Sequence, residues 1–200
     1  ETFIAVESFD EFGRHGEKSM TVEQHGESCV QLRWMSPNDM PEVMTIERAC
    51  FEFPWSEIEF LHSLQIQSTV CVVAELDGRV VGFMVYELSR KQIQLLNFAT
   101  APAYRRRGVG AKMAARLLGK LAIKDRTRIS LEVRETNLTA QLFFRSLGFL
   151  ATKILHNYYD DTPEDAYLMQ YRLSAKVSKG QVTVKSPLRD AETRTGPAVH

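Results

Sequence analysis

Apolar residues along this chain fall into two rhythms, separated by short polar breaks. Thr69–Leu76 and Arg79–Leu88 are dense in valine and other strand-forming residues, which predicts two strands. Asp77-Gly78 between them is a hairpin signal, because this dipeptide accepts the positive φ angles of a two-residue turn. Further strands are predicted at 29–35, 93–100, 128–133, 149–155 and 166–173. Helical spacing is visible in four places. Asp39 can cap a helix running to about residue 50, with Val43, Met44, Ile46 and Cys50 toward the core. Ser56 with Glu59 forms a capping box for a second helix, to about residue 65. The third is expected over 109–124, with Met113, Leu117, Leu118 and Leu121 on one face, and the fourth over 136–147, closed by Gly148.

The resulting order is β-α-α-β-β-β-α-β-α-β-β. An early hairpin followed by a β-α-β unit implies an α/β domain with a mixed sheet flanked by helices, since hairpins exclude an all-parallel sheet. The periodic region covers residues 29–173. Residues 1–28 are rich in Glu, Gly, Ser and His and read as a loosely ordered extension. Residues 174–200 carry Lys176, Lys179, Lys185, Arg189 and Arg194 with few large apolar groups, and read as a flexible basic tail.

Charge is balanced at 25 basic and 25 acidic residues, so nothing global points to nucleic acid or an anionic membrane. The three cysteines, Cys29, Cys50 and Cys71, are far apart and form no metal or disulfide pattern, so no metal is expected. There is no apolar run of 18 residues and no signal peptide at the start, which makes a cytoplasmic setting the expectation.

Locally the balance changes. Between Arg105 and Arg128 there are nine Lys or Arg and one acid, Asp125. The stretch Arg105-Arg106-Arg107-Gly108-Val109-Gly110 lies between a strand and a helix. Glycines let a backbone approach an anion closely, the first turn of a helix offers unpaired N–H groups, and arginines add charge. This is a device for holding phosphates, although a basic loop that merely caps a helix has the same composition.

Four segments in order resemble one family. They are Ile46-Glu47-Arg48 leading to Phe53-Pro54-Trp55-Ser56; the strand ending Asn97-Phe98-Ala99-Thr100 with its Arg-x-x-Gly-x-Gly loop; Leu131-Glu132-Val133-Arg134 with Asn137; and Ser146-Leu147-Gly148-Phe149 leading to Asn157-Tyr158-Tyr159. Over residues 30–172 the chain resembles the GNAT acetyltransferases, in particular their RimI branch, which acetylates the N-terminus of a small-subunit ribosomal protein. The resemblance implies a mixed, mostly antiparallel sheet with the cofactor loop between a central strand and the third helix. It implies acetyl-CoA as cosubstrate and a protein N-terminus, that of a ribosomal protein, as acceptor partner. No specific nucleic acid and no membrane are implied as partners.

By that resemblance the cofactor lies against Phe98, Ala99, Thr100, Arg105, Arg106, Arg107, Gly108, Val109, Gly110, Ala111 and Asn137. Core packing for Phe98 and helix capping for Asn137 are compatible second roles. Glu132 matches the family's general base. A plain salt bridge to Arg134 is the other reading of that glutamate. Phe53, Trp55, Tyr158 and Tyr159 match the walls of the acceptor groove. The acidic run from Asp160 to Asp165 reads as a solvated turn, or as an attractant for a basic acceptor. Phe144 holds the position of the family's general acid, a tyrosine, and has no proton to give. Two other functions keep the fold: transfer to lysine or a small amine, and a weakly catalytic acetyl-CoA sensor, which Phe144 favours. An RNA-binding module would rest on the arginines and tail alone, without the aromatic pattern such modules use.

Overall fold

The computed structural model describes residues 29–122 and 126–173, so both extensions expected from the sequence lie outside the described residues. The elements are β1 (Gln31–Trp34), α1 (Met40–Cys50), α2 (Glu57–Gln65), β2 (Thr69–Leu76), β3 (Arg79–Leu88), β4 (Gln92–Thr100), α3 (Val109–Gly119), β5 (Arg128–Arg134), α4 (Leu138–Ser146), β6 (Leu150–Leu155) and β7 (Ala166–Arg172). The seven strands form one sheet in the order β1-β2-β3-β4-β5-β7-β6. Only β4 and β5 run parallel, as their connection through α3 allows. The mixed, mostly antiparallel sheet with flanking helices is the predicted architecture.

Local chemistry explains most of the boundaries. Asp77 and Gly78 have φ of 51° and 74°, the signature of a primed two-residue turn. Ser56 Oγ accepts from the Glu59 N–H, and the Glu59 carboxylate accepts from the Ser56 N–H at 2.7 Å. Such a cap stabilises a helix by about 0.5–2 kcal/mol. Asp39 precedes α1 but does not bond to its amides. Its carboxylate instead takes two hydrogen bonds from Arg33, at 2.7 and 2.8 Å, and one from the Ser36 N–H. The third helix is shorter than its apolar spacing suggests. It ends at Gly119, a poor helix former, and a 3₁₀ turn carries Leu121 into the core. No described helix is long and apolar enough to cross a membrane.

Two apolar cores flank the sheet. On one face α3 and α4 pack over strands from β2 to β7, with Met113, Leu117, Ile129, Leu131 and Phe149 buried. On the other face α1 and α2 pack over β2, β3 and the end of β4, with Val43, Ile46, Phe60, Phe83 and Ala99 buried. This second core contains no residue of β5, β6 or β7.

Two irregularities in β4 set the geometry at the centre of the sheet. The β3–β4 register slips by one residue, so Leu96 has no partner between the pairs Tyr86–Leu95 and Val85–Asn97. A bulge of this kind reverses the facing of every residue after it. Ile93 and Leu95 belong to the α3/α4 core, yet after the bulge it is Phe98 that faces that core, while Asn97 and Ala99 face α1. The second irregularity is that β4 and β5 pair only at Gln92–Arg128, Ile93–Ile129 and Gln94–Ser130. Beyond Gln94 the two strands part.

Candidate active site

A cleft of roughly 680 Å³ opens where β4 and β5 separate. Its floor includes Leu95, Asn97 and Phe98 from β4 and Leu131, Glu132 and Val133 from β5. One wall is the α1–α2 loop with Phe53, Pro54 and Trp55, and the other is the β6–β7 turn with Tyr158 and Tyr159. Phe144 and Asn137 come in from α4 and its cap. Eight of the residues singled out from the sequence therefore share one cavity: Phe53, Trp55, Phe98, Glu132, Asn137, Phe144, Tyr158 and Tyr159.

Glu132 is half-buried near the middle of β5. It does not pair with Arg134. Its hydrogen-bond partner is Gln94, whose Nε2 donates at 2.6 Å, and the Ser130 hydroxyl donates to the oxygen of the same amide. That second bond sets the orientation of the Gln94 amide, so its NH₂ must face the carboxylate. Burial pushes the Glu132 carboxyl above the usual range, against the opposing pull of Gln94. A half-buried carboxylate with a raised pKa and no cationic partner among the described residues is a better proton acceptor than an exposed one.

Arg134 has a different task, one that its sequence neighbourhood did not suggest. Its guanidinium donates to Thr162, Glu164 and both oxygens of Asp161, at 2.7–2.9 Å. It lies 3.7 Å from the Tyr159 ring centroid and 4.8 Å from that of Phe53. One side chain thus ties the late turn to β5 and touches both aromatic walls. Asp165 adds bonds from the Asn157 N–H and His156. The acidic run is therefore a surface turn, with Asp160 and Asp161 exposed, that hydrogen bonds hold in place. Burial pushes the Tyr159 hydroxyl up to about 12, although Arg134 opposes the shift, so it stays protonated near neutrality. Tyr158 is also raised, first by burial and then by the charge of Glu132.

Phe144 is 6% exposed and packs against the rings of Phe98, Phe143 and Phe149 at 5.1–5.7 Å. Asn137 caps α4, its Oδ1 accepting from the Ala140 N–H at 3.1 Å.

The glycine loop lies at the far end of β4 and is not part of the cleft lining. Arg106 has φ of 63°, and Gly108, at the N-cap of α3, has φ of 80°. Nothing lies within 4 Å of where a Cβ on Gly108 would sit, so the approach to the helix N-terminus is open. The loop residues serve unequally. Arg105 folds back onto the Thr100 carbonyl and the Cys50 sulfur, and Arg107 sits over the Tyr104 ring. The Val109 side chain is buried in the α3/α4 core, which leaves its backbone alone for a ligand, and Ala99 is buried on the α1 side. Gly110 packs closely between α4 and the end of β4, since a Cβ there would lie 3.4 Å from Phe143 and 3.6 Å from the Thr100 hydroxyl. Open N–H groups at an eleven-residue helix, with arginines alongside, fit a pyrophosphate.

Three residues at or beside the cleft have no role predicted from the sequence. Glu47 of α1 and Asn97 of β4 line the cleft, and Gln94, earlier on β4, reaches it through its bond to Glu132; only the fold gives them a common site.

The model of the Acetyltransferase (GNAT) family matches residues 40–149. The ribosomal protein bS18-alanine N-acetyltransferase of Salmonella typhimurium is 31% identical over 142 residues, covering 70% of this chain and 95% of that protein. Among solved structures, the Ard1 protein of Thermoplasma volcanium is 30% identical with a TM-score of 0.66, over 72% of this chain and 97% of that one. The ribosomal-protein-S18-alanine N-acetyltransferase of Escherichia coli is 27% identical with a TM-score of 0.67, over 78% of this chain and all of that one.

Proposed function

The chain belongs to the GNAT family of acetyltransferases, and on that premise we propose that it moves an acetyl group from acetyl-CoA to the N-terminal α-amine of a protein, a ribosomal protein in particular. Glu132 is the general base. The observation that carries this reading is the placement of a half-buried, amide-held carboxylate between two aromatic walls, where the gap between β4 and β5 opens.

Acetyl-CoA supplies the acyl group and a thiol leaving group of ordinary acidity. The chain's residues bind, orient and move a proton. The loop at Arg105–Ala111 holds the phosphates with backbone N–H groups and arginine charge. Beyond Gln94, the edge of β4 toward β5 has no ladder partner, so its backbone groups can pair with the pantetheine arm. A backbone N–H there polarises the acyl carbonyl. Phe98 packs along the arm. Phe53, Trp55, Tyr158 and Tyr159 hold the acceptor. The attacking amine must be neutral. An α-amine with a pKa of about 8 leaves about a tenth neutral at pH 7, and lysine at about 10.4 leaves less than a thousandth. Glu132 takes the remaining proton.

The direct test is acetyl-CoA turnover with three acceptors: N-terminal peptides with blocked lysines, lysine peptides with blocked N-termini, and a polyamine. Transfer confined to the first supports the reading, and transfer confined to either of the others replaces it with the corresponding amine class.

Phe144 supports a second reading, a weakly catalytic acetyl-CoA sensor. Phe144→Tyr restores a hydroxyl at the family's acid position. The ring is enclosed by three other phenylalanines that cannot orient the hydroxyl, so the expected rise in kcat is about tenfold, below the 10²–10⁴ of a well-placed acid. A fast wild type that the substitution leaves unchanged means that the thiolate departs without a protein acid. A silent wild type that gains activity favours the sensor.

Arg134→Met keeps the aliphatic stem and removes every bond to the late turn. Acceptor KM is expected to rise roughly tenfold, equivalent to about 1.4 kcal/mol, with acetyl-CoA affinity unchanged. Steady-state kinetics with each substrate varied would check this, and an unchanged acceptor KM would assign Arg134 to stability alone.

A further inference from the structure

The floor of the cleft contains a polar contact whose geometry leaves one atom over. Glu47, 1% exposed on α1, accepts from the Trp55 N–H at 2.8 Å and from Asn97 Nδ2, which is 3.2 Å from each carboxylate oxygen. An ionised carboxylate only accepts, so it fixes which end of the Asn97 amide faces it. The amide oxygen is thereby turned away from Glu47. Asn97 is 7% exposed, and its Oδ1 has no hydrogen-bond donor among the described residues. Buried carbonyl oxygens are rarely left in this condition unless a ligand or a water completes them.

Resting on the acetyltransferase reading above, we propose that Asn97 Oδ1 binds the acceptor amine, accepting the N–H that Glu132 does not remove. The bulge at Leu96 decides between the two ligands of the site. It turns Asn97 toward α1, the side of Trp55 and the acceptor walls, and turns Phe98 toward Phe143, Phe144 and the glycine loop. Glu132 lies on the Asn97 side, with Gln94 and Ser130, while its neighbours Leu131 and Val133 enter the opposite core. A neutral primary amine has two hydrogens. Glu132 is basic enough to take one. An amide oxygen is not basic, so it can hold the other without removing it and aim the lone pair at the acyl carbon. Glu47 then acts as a positioning residue, fixing the orientation of Asn97 and holding the acceptor loop through Trp55.

The experiment uses the full chain, acetyl-CoA and a peptide with a free N-terminal alanine, with a lysine peptide and a polyamine as alternative primary amines. Asn97→Leu is close in volume and removes the oxygen. It should raise the acceptor KM about tenfold or lower kcat by a similar factor, with the Kd for acetyl-CoA unchanged by calorimetry. Glu47→Gln is the independent variant, because a glutamine NH₂ can donate to Asn97 Oδ1 and occupy it internally. The fold would keep its bonds, yet the acceptor-specific loss should reappear, which a merely structural role for the pair does not predict. Unchanged acceptor kinetics in the variant that folds would overturn the proposal. So would a fall in acetyl-CoA affinity, which would mean that Oδ1 pairs with an amide of the pantetheine arm. If wild type prefers lysine or the polyamine, the N-terminal reading fails while the Asn97 effect is measured on that amine, since every primary amine has the second hydrogen. If no amine is acetylated, both fall.

Discussion

Glu132→Gln is expected to lower kcat by about 10²–10⁴-fold near pH 7 while the Kd for acetyl-CoA stays within about twofold. The substitution keeps the shape of the side chain and lets its amide oxygen still accept from Gln94, so the hydrogen bond at 2.6 Å has a substitute. What disappears is basicity. The sign of the pH effect comes from burial. Glu132 works only as the carboxylate, and burial raises its pKa, so activity falls on the acid side at a higher pH than an exposed glutamate near 4.3 would give. A log kcat profile should therefore rise with pH through that raised value in the wild type, and the limb should vanish in Glu132→Gln. Full activity of the variant near neutrality would make the residue structural.

Gly108→Asp is expected to weaken acetyl-CoA binding by at least about 10²-fold, corresponding to the loss of one to two charge-assisted hydrogen bonds. Two causes act together. Gly108 has φ of 80°, a conformation that side chains rarely adopt, so the loop shifts. The new carboxylate would enter the open space before the α3 N-terminus, where N–H groups and arginines otherwise attract phosphate. Calorimetry with acetyl-CoA would measure the loss, and circular dichroism would show that the fold survives. Affinity equal to wild type in a folded variant would remove the loop from the binding site.

The parts of the molecule legible in the sequence are those whose cause is local. The hairpin at Asp77-Gly78, the capping box at Ser56 and the turn closing α4 at Gly148 each depend on residues a few positions apart. The glycine loop is legible for the same reason. The bulge at Leu96 is not, because an inserted residue in an apolar strand leaves the composition unchanged and alters only the facing of the residues after it. Glu47, Gln94 and Asn97 are illegible as a site for a related reason. Glu47 and Asn97 are 50 residues apart, and Gln94 reaches Glu132 across 38. Two acids, Glu132 and Glu135, lie within two residues of Arg134 in sequence, yet the fold places its partners in a turn almost 30 residues later.

The parting of β4 and β5 has a mechanical consequence. The core under α3 and α4 runs without interruption from β2 to β7, whereas the core under α1 and α2 stops at β4. The sheet is built like a book, with its spine on the α3/α4 side and its pages free on the other. Three backbone pairs, with side-chain bonds from Gln92 and Gln94, bind the two leaves directly, at one end of the strands. Flexing about that spine widens the free margin without disturbing the main core, and the Arg134 bonds lie within the β5–β7 leaf, touching the facing page only through the Phe53 ring. A ligand lying along both leaves would stitch them together. Amide exchange across β5 and β7 should then slow on binding by more than in β2 and β3, because opening of one leaf becomes coupled to release of the ligand.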